Sequence, residues 1–389
     1  MLRILATGIK IEENFGGPSL LHGLKEVLDL LYGDNYELIY CQLTPYDTIS
    51  SSDFNFTLKS ISFGKKQILN YLTDKSMSEL KSYIISSDIV IDLNGICFSD
   101  NLDRYQGYLR SYISVLYQFR VCFLAKLYRK KIVKNTCSFG PMKNNSNARK
   151  AKFACRYLFD TISAREEKSR LALLHDAKVK KDILLSPDIA NVMPFSKKPY
   201  PNTKIIGISI SHQIIRQWGS DEGYVECMVN LCKHIYEKYQ ISIMLIPNEV
   251  QKLSDFNDRS VSDEIQKKLS YSGVSVDIAD SAKMSSIELK NLIASCEVMV
   301  ASRYHSCVAS LSSGVPVLVI GWHYKYEELL HWYGQDQWIL SNHDCISDKL
   351  IDMFDAFWEQ RDMSKKTIAE HYPNVRKAVL DVGKIMFSK

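Results

Sequence analysis

Five short apolar runs, IIGISI (205–210), ISIMLIP (241–247), VSVDIA (274–279), VMVAS (298–302) and VLVIG (317–321), are separated by longer amphipathic stretches. A strand that is apolar at nearly every position must be covered on both faces, and helices packed on a parallel sheet do this. The first half of the chain has the same rhythm. LRILA leads into Pro18–Leu31, DIVIDL into a tyrosine-rich stretch around 104–128, and IVKNT and TISA follow, the last leading into Glu166–His175.

The two series are separated by VMPFSKKPYPNT (192–203), which holds three prolines and two lysines and has neither helical nor strand periodicity. It reads as a linker. A length of 389 residues also exceeds what one hydrophobic core usually covers. The expected fold class is therefore α/β, with two Rossmann-like lobes facing across a cleft: a first domain over 1–191, a second over 204–363, and a helical tail over 364–389 placed to pack back on the first domain. In such sheets ligands bind beyond the carboxyl ends of the strands, so functional residues are expected there.

Composition excludes several classes. Lys and Arg number 49 against 44 Asp and Glu, a net charge of +5 that is too small to argue for nucleic acid. A basic cluster, Lys126, Arg129, Lys130, Lys131 and Lys134, follows the apolar Val121–Ala125 and leaves peripheral contact with anionic lipid open, although a solvated helix end is the plainer reading. The ten cysteines form no CxxC pair, so neither a zinc nor a redox motif is expected and reduced core thiols are the default. No run reaches about 18 apolar residues and the N-terminus lacks the pattern of a signal peptide, which points to the cytoplasm or the inner face of its membrane.

The chemistry concentrates in VMVASRYHSCVASLSSGVPVLVIGWHYKYEELL (298–330), which reads as strand, loop, helix, glycine stop, strand, loop, helix. Arg303 and His305 directly follow the first strand, at the start of the helix that Gly314 ends. Unpaired backbone N–H groups and the helix dipole favour an anion at such a position. Lys325 stands at the equivalent place after the next strand, so neighbouring strands would bring one Arg, one His and one Lys together. The imidazole is suited to general acid chemistry near neutral pH. Trp322, Tyr324 and Tyr326 flank Lys325, either as faces for a sugar ring or as alternating core. Gly16, Gly17 and Pro18 read as a tight turn into a helix or as a close backbone approach to an acceptor.

SRYHSCVASLSSGVPVLVI with the downstream WHYKYEEL resembles the signature of the polysaccharide pyruvyl transferase family, and FGGPSLL (15–21), SFGP (138–141), SAREEKS (163–169) and SPDIA (186–190) are similar to its earlier elements. The resemblance spans roughly residues 10–330. It implies a GT-B-like fold and transfer of a pyruvyl group from phosphoenolpyruvate onto a sugar of a cell-surface glycan or its lipid-linked precursor, forming a ketal, with phosphoenolpyruvate as co-substrate and no metal. It assigns His305, Arg303 and Lys325 to catalysis, Arg165, Ser138 and the same three to the donor, and Gly16, Gly17, Asn94 and Gly95 to the acceptor. Two positions depart from the family. A Gly-Gly-Gly run is reduced to Gly95, and an Arg-Asp pair has become Arg165 with Glu166, which suits an orienter of Arg165 or a first-turn helix position equally. Asp188 reads as structural. The rival readings are a nucleotide-sugar glycosyltransferase, disfavoured because no acidic residue lies between His305 and Gly314, and a glycan-binding relative without turnover. The oligomeric state is not readable.

Overall fold

The computed structural model describes residues 1–11, 14–43, 54, 56–61, 63, 77–100, 108–196, 204–215, 217–219, 222–250 and 257–388. Linker residues 197–203 and residues 104–107 of the tyrosine-rich stretch lie outside them. The chain divides into two compact units, Met1–Glu12 with Leu20–Ile189 and Lys377–Lys389, and Glu13–Ser19 with Ala190–Arg376.

The first unit is built on a parallel sheet of β1 (Leu2–Thr7), β2 (Tyr36–Gln42), β3 (Thr57–Ser60), β4 (Ile89–Asp92), β5 (Ile96–Cys97), β6 (Lys131–Phe139), β7 (Thr161–Ala164) and β8 (Leu184–Leu185). Its order is β3-β2-β1-β4-β6-β7-β8, with β5 paired to β6. Leu5, Val90, Ile132 and Ile162 pack into one core with Leu80, Phe119 and Ala154.

The second unit carries β9 (Ile205–Ser209), β10 (Ser242–Leu245), β11 (Asp277–Ile278), β12 (Val298–Ala301), β13 (Val317–Gly321) and β14 (Ile339–Ser341), in the order β11-β10-β9-β12-β13-β14. Every residue of β9, β12 and β13 is buried, which is why these strands are apolar at nearly every position. The core joins Ile206, Ile208, Val300, Leu318 and Ile320 to Tyr224, Leu231 and Phe354. In both sheets the winding direction reverses once, between β1 and β4 and between β9 and β12. Crevices at the carboxyl ends of such switch points are where α/β sheets bind ligands.

Local signals explain where helices begin and end. Asn257 accepts from the Arg259 and Ser260 N–H groups and Ser260 reaches back to it, a reciprocal cap that starts the helix Asp258–Ser270. Ser285 and Glu288 form the same box before Ser286–Ala294. Gly314, at a φ of +80°, follows Tyr304–Ser312 as the glycine stop read from the sequence.

Some elements were not visible in the sequence pattern. β2, β3 and β14 lie outside the five runs and their first-half counterparts; β3 and β14 are sheet-edge segments of four and three residues. The final helix starts at Arg361 rather than Ser364 and continues through Pro373. Within the first unit its end is fixed by Tyr32 Oη donating to the Phe387 carbonyl at 2.7 Å and by Gly383 against Val27.

The basic cluster is not a uniform cationic face. Lys134 is fully buried and lies 2.7 Å from the Asp92 carboxylate. Burial opposes its charge, yet Asp92 holds its ammonium well above the ordinary lysine range. Lys126 pairs with Asp160, and Lys130 and Lys131 donate to the carbonyls of Ile85 and Ser388. All ten cysteines are buried and none is in a disulfide. Among the described residues no helix is long and apolar enough to cross a membrane.

Candidate active site

Four loops leave adjacent carboxyl ends in the second unit: Ser211–His212 after β9, Asn248–Glu249 after β10, Ser302–His305 after β12 and Trp322–Lys325 after β13. β12 and β13 are paired neighbours, with Ala301 opposite Val319, so the adjacency expected of the Arg303–His305 and Lys325 loops holds.

The loops are tied together by Asp258, which the sequence reading missed. Its buried carboxylate accepts from Arg303 Nε at 2.9 Å and Nη2 at 2.5 Å, from the backbone N–H groups of His212, Asn248 and Glu249, and from His212 Nδ1 at 2.8 Å. Burial alone would raise this carboxyl; Arg303 and the His212 contacts instead hold it below the usual carboxylate range. The available signal was an Asp directly after a capping Asn at a helix start, where the dipole favours negative charge.

Arg303 Nη1 also lies 2.7 Å from Glu249. The guanidinium expected to grip the donor is thus committed to two carboxylates, and its charge is balanced locally. Its neighbour His305 occupies the first turn of Tyr304–Ser312, with Arg303 at the N-cap position making no side-chain cap bond. The next residue, Ser306, meets Ser209 at 2.8 Å, and Asn248 donates to that same Ser209, which locks this helix end to β9.

Gly16 and Gly17 form the first turn of the helix Gly16–Tyr32 itself, with Asn14 accepting from the Gly17 N–H, rather than a turn ahead of it. Pro18 is third in the helix, where its missing N–H costs no helical bond. Residues 13–19 group with the second unit, and Phe15 donates to the Asn248 carbonyl. A Cβ built on Gly16 would lie 2.6 Å from His305 Cε1 and closer still to its Nδ1. The close approach at this glycine is therefore made by the imidazole.

Lys325 Nζ lies 4.9 Å from the Trp322 ring centre, 5.3 Å from that of Tyr304 and 5.4 Å from that of Tyr326. Such rings attract an ammonium by about 0.5–2 kcal/mol without adding a formal negative charge. Tyr304 is the shared wall, since the His305 ring also stands edge-on to it at 5.4 Å. Of the flanking aromatics, Tyr326 is core, donating to the Ser302 carbonyl, whereas Trp322 and Tyr324 are half-buried.

In the first unit, Arg165 follows β7 and is buried. Its Nε reaches Ser138 and Glu166, its Nη1 Asp188, and its Nη2 the Gly95 carbonyl and Ser138 Oγ, the last two at 2.6 Å. Glu166 makes no helix cap with its side chain; it accepts from Arg165, Ser138 and Ser169, so its carboxylate contacts the guanidinium directly. Asp188 is the direct charge partner of Arg165 rather than only a fastening for the chain. Asn94 donates to Asp92, and Gly8, at a φ of +104°, leaves room for both side chains. Arg165, Ser138 and Gly95 thus meet as one cluster, held by Glu166 and Asp188.

Two all-parallel sheets wound in this way, each with one switch point, define a GT-B-type protein of two Rossmann-like lobes. Solved structures agree at the level of fold. UDP-GlcNAc 2-epimerase from Neisseria meningitidis bound to UDP-GlcNAc is 14% identical, with a TM-score of 0.57 and 98% of each chain covered. Anabaena HepE in complex with UDP and glucose is 12% identical, with a TM-score of 0.54 over 100% of this chain and 96% of that one. UDP-GlcNAc 2-epimerase from Methanocaldococcus jannaschii is 12% identical, with a TM-score of 0.57 over 91% and 92%. No curated protein sequence matches the chain. The profile of polysaccharide pyruvyl transferases matches residues 14–324. The chain belongs to the polysaccharide pyruvyl transferase family.

Proposed function

We propose that the protein transfers a pyruvyl group from phosphoenolpyruvate to a pair of hydroxyls on a glycan or its lipid-linked precursor, in the cytoplasm or at the inner face of the membrane. The observation that carries this reading is the meeting of His305 and Lys325 on Tyr304, each at a helix N-terminus beyond neighbouring strands. Lys325 and the backbone N–H groups at the start of the helix after Arg303 take the donor's anionic oxygens. His305 protonates the methylene carbon, an acceptor hydroxyl attacks the adjacent carbon, phosphate leaves, and a second hydroxyl closes the ketal.

Arg303 and Arg165 have supporting parts in this reading. Each is already matched by two carboxylates, so each shapes its loops instead of contributing an uncompensated charge. Ser138 and Gly95, bonded to Arg165, belong to the same support, with Asn94 beside them; Gly16 sets the room beside His305, and Gly17 continues the same helix turn.

Titration calorimetry tests the donor. Phosphoenolpyruvate should bind with a heat that Lys325→Ala largely removes, and UDP- and GDP-sugars should give none. Binding of a nucleotide sugar in place of phosphoenolpyruvate would assign the site to glycosyl transfer.

A further inference from the structure

Ketal formation moves more protons than His305 carries. One proton is added to the methylene carbon, while two must leave the acceptor hydroxyls. A second imidazole stands one strand away. His212 follows β9, which pairs with β12 through Ser209 and Ala301, and its ring is 14% exposed at the carboxyl edge of the sheet.

Its orientation is fixed. The ring's Nδ1 is 2.8 Å from Asp258 Oδ1 and 3.1 Å from Arg303 Nη2. An ionised carboxylate only accepts, whereas Arg303 only donates and directs the shorter bond of its Nη2, 2.5 Å, to Asp258 Oδ1 rather than to the ring; the hydrogen is therefore assigned to Nδ1, and in the neutral ring the lone pair lies on Nε2. Asp258 does not need the imidazole to satisfy its buried charge. Three backbone N–H groups and two bonds from Arg303 already supply five donors to about four lone-pair sites. The additional contact therefore serves the ring, the arrangement by which a buried carboxylate sets the tautomer of an acid-base histidine.

We propose that His212 is the base that takes the proton of the attacking hydroxyl, with Asp258 as the positioning residue behind it; this rests on the phosphoenolpyruvate-dependent reading of the site. The balance closes within the two histidines. Protonated His305 gives its proton to the methylene carbon, which becomes the methyl group. The first hydroxyl oxygen bonds to the adjacent carbon and its proton passes to His212 Nε2. The carbon–oxygen bond to phosphate breaks with its electron pair on oxygen, and His212 hands its proton to the departing phosphate. The second hydroxyl closes the ketal and its proton restores His305.

The test uses the full chain with phosphoenolpyruvate and a panel of p-nitrophenyl hexopyranosides as acceptor probes. His212→Gln should lower turnover by about 100- to 10,000-fold, the usual range for a general base. Phosphoenolpyruvate affinity by calorimetry should be unchanged, and added imidazole should restore part of the activity of His212→Ala. Near wild-type turnover in His212→Gln overturns the proposal. So does a His212→Ala variant that loses donor binding and does not respond to imidazole, the mark of a purely structural role. A wild-type protein that consumes no phosphoenolpyruvate overturns the parent reading and this one with it, and is recognised because the failure precedes any substitution.

Discussion

A single methyl group at position 16 tests how tightly His305 is held. Gly16→Ala should favour the helix intrinsically, yet its Cβ would enter the space of the imidazole and force the ring or the helix end to shift. We expect a folded protein with activity reduced by about 10- to 100-fold, since displacements near 1 Å at reacting groups cost on this scale; kinetics alongside a thermal melt would show the separation. His22 offers a different residue-level prediction. Its ring stacks on Phe54 at 4.5 Å, and burial, with Lys25 adding to it, lowers its pKa from 6.5 to about 4. The unfolded chain therefore binds the extra proton between those values, so stability falls as pH drops through that window and levels off below it, by about 3 kcal/mol in all. Urea titrations should show this slope in the wild type and its loss in His22→Phe.

At the scale of elements, β1, β4, β6, β7 and the central strands of the second sheet were legible because parallel strands covered on both faces carry short, predominantly apolar runs. β3 and β14 were not, since edge strands of three or four residues need no such run. Arg303, His305 and Lys325 could be placed by their position after strands, whereas their partners could not. Asp258 lies 45 residues before Arg303 in the chain and Asp188 lies 23 after Arg165, and only the sheet order brings those segments together. The same limit concealed Lys134, which reads as one more cation in a basic run until β4 sets Asp92 beside it. Removing one partner of a buried pair leaves an uncompensated charge at a cost of about 3–5 kcal/mol. Lys134→Met should therefore destabilise the protein by that amount in a denaturant titration, while Asp92→Leu added to it should recover part of the loss.

For the whole molecule, the fold narrows the chemistry less than the site does. The same architecture appears in structures bound to UDP-GlcNAc or to UDP and glucose, at identities of 12–14%, so the architecture alone selects no donor. The phosphoenolpyruvate donor we propose rests on family membership across residues 14–324 and on the approach of His305 and Lys325 to the one Tyr304 ring. The most direct measurement is the mass of the product formed from phosphoenolpyruvate and a panel of lipid-linked and nucleotide-linked saccharides. A gain of one pyruvate less one water on the sugar, matched by equimolar phosphate and nearly abolished in His305→Ala, is the predicted result. Transfer of a whole sugar from a nucleotide-linked donor with phosphoenolpyruvate left intact, or full activity in His305→Ala, would contradict it.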